Sequence, residues 1–325
     1  MTKHETDCAC GIGAVSTRRP FDSVWRSKTP IPRHGIEALV AGEKMARAVA
    51  AQPEWLAQLP ADRRFPGGRV AAVGCGTSFH AAQTSGNGID ALEAVLSPHE
   101  ADVLALLSHE GGTPLTLEAA KAFRGPKWLV TGKRESAIAE LCDQVIVCTP
   151  EVEESYCHTA SYTCAVAALA TLRGVDVSWL PGAVAEQLAG ERFPVSAHTR
   201  FVVAGAGRDW PTAQEAVLKL REGVHVAAEA HRLEELLHGH LAAIDETVRC
   251  FVLEGEGRAA ARAAETVTAL EQLGCDVSLV PTRHPVVDIV AFQLLTLDLA
   301  ADRGIDPDQI RWDDPRWKAA RDAYA

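Results

Sequence analysis

From residue 69 onward, short apolar runs alternate with amphipathic stretches. The runs at 70–73, 103–107, 128–131 and 145–148 are each followed by polar, often glycine-containing sequence and then by a segment able to form a helix. Continuous apolar runs this short read as strands buried on both faces, and their alternation with helical stretches predicts βα units around a parallel sheet. The arrangement then repeats. Arg200-Phe-Val-Val-Ala-Gly-Ala-Gly207 echoes Arg69-Val-Ala-Ala-Val-Gly-Cys-Gly76, and 250–253 and 276–280 supply further runs. The expected fold is α/β, with two tandem doubly wound parallel sheets of flavodoxin type. The expected boundaries are an N-terminal arm and helix over 1–65, a first domain over 66–190 and a second over 191–325. The linker is expected around 180–194. Before residue 65, Pro20, Pro30 and Pro32 break an extended arm, and the 3.6-residue spacing over 36–50 predicts a helix.

At 325 residues the chain has room for two domains. Its 43 acidic residues outnumber 32 lysines and arginines, a net charge of −11 that disfavours gripping nucleic acid or anionic lipid. No stretch approaches 18 uninterrupted apolar residues, and the N-terminus lacks the apolar core of a leader. The nine cysteines form no CxxC pair, and several lie in apolar runs, usage that suits a reducing compartment. A soluble, cytoplasmic protein is expected.

Chemistry is expected at the carboxyl ends of the strands, where open α/β sheets bind ligands. Gly74-Cys-Gly-Thr-Ser78 and Gly205-Ala-Gly207 each offer a tight turn before a helix, suited to an anion. Neither matches the dinucleotide fingerprint, so no nicotinamide cofactor is expected. Ser108-His-Glu-Gly-Gly-Thr113 precedes Pro114, and it reads either as a ligand cradle or as an N-cap in which Thr113 closes the first turn. On the helix expected at 214–222, Glu215, Lys219 and Glu222 share one face, as a solvated ion-pair row or as a functional one. A second short helical pattern over 228–238 ends at Gly239. His225, His231, His238 and His240, with Glu229, Glu234 and Glu235, fit no trusted ligand spacing, and no metal is expected.

Cys75-Gly-Thr-Ser78, the 108–113 loop, Glu153-Glu-Ser-Tyr-Cys-His-Thr-Ala-Ser-Tyr-Thr163, Leu218-Lys-Leu-Arg-Glu222, Ala228-Glu-Ala230 and His238-Gly-His-Leu241 together resemble the double-SIS (sugar isomerase) family. The likeness is to the isomerase half of glucosamine-6-phosphate synthase and to related sugar-phosphate isomerases and deaminases, and it covers about 65–310. The resemblance implies that Glu222 is the base moving a proton between C1 and C2 of an open-chain sugar. It implies that Lys219 binds or polarises oxygens, and that His238 assists ring opening from the neighbouring subunit of a homodimer. Cys75, Gly76, Thr77, Ser78, Ser108, His109, Glu110, Gly111, Thr113, Tyr156 and Thr159 would surround the substrate, with Ser78, Ser108 and Thr113 at its phosphate. The chemistry agrees: moving a proton beside a carbonyl needs a carboxylate within reach, and imidazole can shuttle one near neutral pH.

Several positions depart from the family. Glu110 stands where the family has a second serine, and His109 replaces a glutamine. A carboxylate about 4 Å from a phosphate opposes it by roughly 4 kcal/mol at an effective dielectric near 20, unless Lys133, Arg134 or a protonated His109 compensates. The family's tail lysine is absent, leaving only a displaced Lys318, and Ala160 replaces a lysine beside Thr159. Cys10-Gly-Ile-Gly-Ala resembles the start of a glutaminase domain whose remainder is missing. The expected function is isomerisation or deamination of a phosphosugar or amino sugar. The rivals are an enzyme for an unphosphorylated amino sugar and a sugar-sensing binding protein, although 1–65 carry no recognisable helix-turn-helix and no basic cluster.

Overall fold

The apolar runs form strands in the computed structural model of the chain, which describes residues 41–97 and 100–324. The first sheet holds β1 (Val70–Gly74), β2 (Gly88–Asp90), β3 (Val103–Leu107), β4 (Lys127–Thr131) and β5 (Gln144–Val147), all parallel, in the order β2-β1-β3-β4-β5. The second holds β6 (Arg200–Gly205), β7 (Ala227–Arg232), β8 (Val248–Leu253) and β9 (Asp276–Val280), parallel, in the order β7-β6-β8-β9. Both are doubly wound, with the first connection turning one way and the next the other.

Eleven helices complete the described chain: α1 (Glu43–Ala57), α2 (Thr77–Gln83), α3 (Ala91–Leu96), α4 (Pro114–Ala122), α5 (Ala160–Leu172), α6 (Leu180–Ala189), α7 (Trp210–Val224), α8 (Leu233–Leu237), α9 (Arg258–Gln272), α10 (Pro285–Arg303) and α11 (Pro315–Asp322). Successive side chains of a strand point to opposite faces. Val70 and Ala72 therefore enter the largest core, while Ala71 and Val73 enter a second one beside α3 and α4. The same split puts Phe201 and Val203 of β6 into the largest core and Val202 and Ala204 into a third beside α8 and α9. The largest core thus lies between the two sheets and is filled by α1, α5, α7 and α10.

Four expectations need correction. The stretch 180–189, expected as linker, is α6. Its Leu180, Ala183 and Val184 are buried at helical spacing, and it packs on α1 and α10. Residues 228–232, expected as helix, belong to β7. There α7 ends in left-handed His225, which turns the chain back to pair with β6 from Arg200↔Ala227 to Gly205↔Arg232, overriding the helix propensity of its alanines. Between β4 and β5 there is only a 3₁₀ turn, Ala139–Leu141. The helix expected over 36–50 is α1, which runs to Ala57 through Pro53. Gln52 Nε2 donates to the Val49 carbonyl (3.0 Å), the acceptor that Pro53 has no N–H to satisfy. The arm over 1–40 and the Cys10 motif lie outside the described residues.

Candidate active site

On α7 the shared face predicted for Glu215, Lys219 and Glu222 is turned inward rather than to solvent. Lys219 is 0% exposed, and its ammonium lies 2.7 Å from Glu222 Oε2 and 3.4 Å from Glu215 Oε1. It also donates to the Thr77 hydroxyl (3.3 Å) and the His158 carbonyl (2.9 Å). Glu215, equally buried, accepts from Thr77 Oγ1 (3.1 Å) and meets His80 Nδ1 (2.7 Å). Burial opposes the charge on Lys219, but the Glu222 and Glu215 carboxylates outweigh it and hold the ammonium well above the ordinary lysine range. Burial likewise opposes the Glu215 carboxylate. Lys219, His80 and Thr77 overcome that and lower its pKa. Only Glu222 of the three keeps an open side, with 24% of its side chain exposed.

The loop after β1 is shaped by glycine. A Cβ on Gly74 would stand 2.6 Å from the Ser78 carbonyl carbon, and Gly76 has φ +52°. Cys75 Sγ rests on Thr116 Oγ1 (3.8 Å), and burial raises its pKa. In the loop after β3, Ser108 Oγ meets Thr113 Oγ1 (2.9 Å) and accepts from Gly111 N (3.1 Å), with Gly111 at φ +68°. Thr113 occupies the N-cap position of α4, but its hydroxyl is turned to Ser108 and makes no bond to the helix, so the capping-box reading does not hold.

Glu110 points to Lys133 (2.9 Å), whose hydrogen bond lowers the carboxyl pKa. His109 accepts from Glu153 N at its Nε2 (2.9 Å), and burial, then His158, bring its pKa down to about 4. Of the compensating groups considered for Glu110, Lys133 is therefore the one in contact, and His109 is held neutral. The carboxylate of buried Glu153 accepts from Thr159 N, Thr159 Oγ1 and Ser161 N (2.7–2.8 Å), which satisfies the start of α5.

At the carboxyl ends of β1, β3 and β4 these loops line a narrow cleft of about 20 Å³, with Thr77, Ser78, Ser108, His109, His158 and Tyr162 among its walls. Among the described residues the Ser78 hydroxyl has no protein partner, and the buried hydroxyls of Ser161 and Tyr162 lack one as well. The structure thus brings Thr77, Ser78, Ser108 and His109 to one cleft, sets Gly111 and Thr113 against Ser108, and places the α7 row behind Thr77, with Gly76 in the turn before it. Others lie apart. Thr159 is wholly buried and committed to Glu153. Tyr156 is at the surface against Trp312. His238 follows α8 with 71% of its side chain exposed and only Glu234 Oε1 beside it (2.7 Å). Lys318 pairs with Asp322 on α11. Among the described residues no three or more His, Cys, Asp or Glu side chains converge as metal ligands.

Sequence reasoning passed over His80, His158, Ser161, Tyr162 and the buried role of Glu215. Ser161 and Tyr162 come two and three residues after Thr159, so position in the 153–163 motif could have flagged them. His80 could have been flagged by its place on the first turn after Ser78.

Two parallel sheets carry an acid–lysine–acid row beside the strand-end loops, and the comparisons show what the chain is similar to. The chain is homologous to the isomerase portion of glutamine–fructose-6-phosphate aminotransferases. It is 28% identical over 269 residues to the enzyme of Rhizobium leguminosarum bv. viciae (67% of this chain, 44% of the relative). It is 28% identical over 310 residues to that of Thermus thermophilus (75% and 51%). The chain therefore spans about half the length of these curated relatives. No protein-family model matches it. Among solved structures, glucosamine-6-phosphate deaminase from Thermotoga maritima superposes with TM-score 0.68 at 20% identity, covering 82% of this chain and 97% of the other. The C-terminal domain of glucosamine-fructose-6-phosphate aminotransferase from Francisella tularensis gives 0.69 at 20% (82% and 98%). Escherichia coli tagatose-6-phosphate ketose/aldose isomerase gives 0.67 at 16% (83% and 95%). These likenesses carry the fold. Among the described residues no helix is long and apolar enough to cross a membrane.

Proposed function

We propose that the chain is an enzyme that moves a proton between C1 and C2 of an open-chain phosphosugar, with Glu222 as the base. The observation that carries this reading is the setting of Glu222. Its carboxylate is partly open, while Lys219 is wholly buried and anchored from four sides. Such an acid is anchored by the ammonium and aimed, as a base must be to take a proton from carbon beside a carbonyl. Lys219, with no exposed surface, acts on the substrate through Glu222. The sugar lies across the cleft at the β1 and β3 loops, and the free Ser78 hydroxyl meets its phosphate. Glu110 does not oppose that charge, because Lys133 engages it. The relatives' printed names, with fructose 6-phosphate and glucosamine 6-phosphate among them, support this substrate class. The active form is a homodimer in which the exposed His238 completes the partner's site and opens the sugar ring.

The test is incorporation of deuterium from ²H₂O at C1 or C2 of fructose 6-phosphate and glucosamine 6-phosphate. Glu222→Gln should lower exchange by about 10²–10⁴-fold, the usual worth of a general base, while leaving binding within a few-fold. Loss of binding with an unchanged exchange rate in the bound fraction contradicts the assignment.

A further inference from the structure

The Lys219 ammonium has three hydrogens to share among four acceptors. Glu222 Oε2 lies at 2.7 Å and the His158 carbonyl at 2.9 Å, ahead of Thr77 Oγ1 at 3.3 Å and Glu215 Oε1 at 3.4 Å. Burial alone would order them differently. The Glu215 side chain is 0% exposed and that of Glu222 is 24% exposed, so Glu215 has the greater need of the cation. Other donors must therefore satisfy Glu215. Thr77 Oγ1 donates to its Oε1 (3.1 Å), and His80 Nδ1 meets its Oε2 at 2.7 Å, the shortest contact this carboxylate makes. Despite its burial Glu215 stays ionised, because Lys219, His80 and Thr77 lower its pKa, and an ionised carboxylate only accepts. Nδ1 of His80 thus carries the hydrogen of that bond, whatever the state of Nε2. Thr77 and His80 stand one turn apart on α2, which packs against α7, so both reach Glu215 from one helix face. A single row, His80–Glu215–Lys219–Glu222, then runs from the first half of the chain to the open acid.

We propose that His80 is a positioning residue: by donating to Glu215 it leaves Lys219 free to hold Glu222, and so aims the base. The assignment rests on the functional reading above and deepens it. It requires a donor at Nδ1 and no particular charge on the ring. Without that donor, Glu215 keeps only Thr77 besides Lys219 among the described residues, and the ammonium shifts toward it and away from Glu222. A base displaced by about 1 Å loses up to roughly a hundredfold in rate. His80 is not among the residues that line the cleft. It borders a separate open groove of about 430 Å³, together with Trp210, Gln214 and Arg221. Its removal therefore acts on the chemical step rather than on the grip of the sugar.

Two substitutions in the full chain separate the donor from the space it fills. His80→Asn keeps an N–H donor near the place of Nδ1. His80→Leu keeps bulk against water from the groove and donates nothing, and His80→Met serves if that variant folds poorly. In crystal structures, the wild type and His80→Asn should hold Lys219 Nζ nearer to Glu222 than to Glu215, and His80→Leu should reverse the order. In deuterium exchange with fructose 6-phosphate, His80→Leu should lower kcat by roughly ten- to a hundredfold with KM within about twofold, and His80→Asn should recover most of the loss. An unchanged order of the two distances in a folded His80→Leu chain overturns the assignment. So does a raised KM with kcat intact, or lowered stability with the exchange per folded molecule unchanged. The two distances are read without turnover. A wild type that exchanges nothing therefore sinks the proton-transfer reading while the distances still judge His80, whereas exchange that His80→Leu leaves intact sinks the assignment alone.

Discussion

Lys219 joins parts of the chain that are far apart in sequence. Its ammonium touches two carboxylates of its own helix, a hydroxyl 142 residues away and a carbonyl 61 residues away. Shortening it leaves the buried Glu215 carboxylate with Thr77 and His80 alone, and Lys219→Ala should cost about 3–5 kcal/mol in urea unfolding. A loss below about 1 kcal/mol would show that the row is solvated after all. His109 should leave a different mark. With its pKa at about 4 in the folded chain against 6.5 for the ordinary side chain, the unfolded chain takes the proton first as pH falls. The stability it lends is therefore complete above about pH 6.5 and drains away toward pH 4, about 2 kcal/mol after discounting for partial exposure. His109→Gln should flatten that limb of the stability–pH curve. At this scale the sequence was legible along a single helix, since a 3.6-residue period alone puts Glu215, Lys219 and Glu222 together. It was silent about His80 and His158, and about the bond by which Thr77 joins the row, because these reach the same spot from elsewhere in the fold.

Among the elements, apolar runs buried on both faces announced themselves, and β1, β3, β4, β6, β8 and β9 fall where the pattern put them. The errors came where tertiary contacts decide. The alanine-rich sequence of β7 would suit a helix, but β6 offers six consecutive pairing partners. The proline and glycine of α6 suggested a linker, yet Pro181 sits in the first turn, where its missing N–H costs nothing. Glycine marks the most exacting contact near the cleft. Gly74→Ala should destabilise by about 1–3 kcal/mol by driving a methyl group into the Ser78 backbone. It should also weaken phosphosugar binding, because the serine turn must move. Unchanged melting and unchanged affinity would mean that this turn yields without cost.

For the molecule as a whole, the proposed dimer makes a quantitative forecast. Glu222→Gln and His238→Ala chains, each inactive alone, should regain roughly a quarter of wild-type exchange when mixed under conditions that let subunits redistribute, since half the dimers are then mixed and hold one intact site. No recovery would mean that each chain uses its own histidine or none. Within one chain the two sheets share their largest core, and α6 and α10 cross between the halves. The internal repeat was visible in the two glycine turns, whereas this shared packing has no signature in a linear pattern. One further tie runs from one end of the described chain to the other. The side chain of Asp306 accepts from Gly42 N, and that of Asp308 from Lys44 N and Met45 N, so the first turn of α1 is capped by residues 263 or 264 positions downstream. On the ribosome, then, the leading amides of this helix keep water as their partner until more than 260 further residues have been made. The fold is locked by a clasp whose second half is made long after the first.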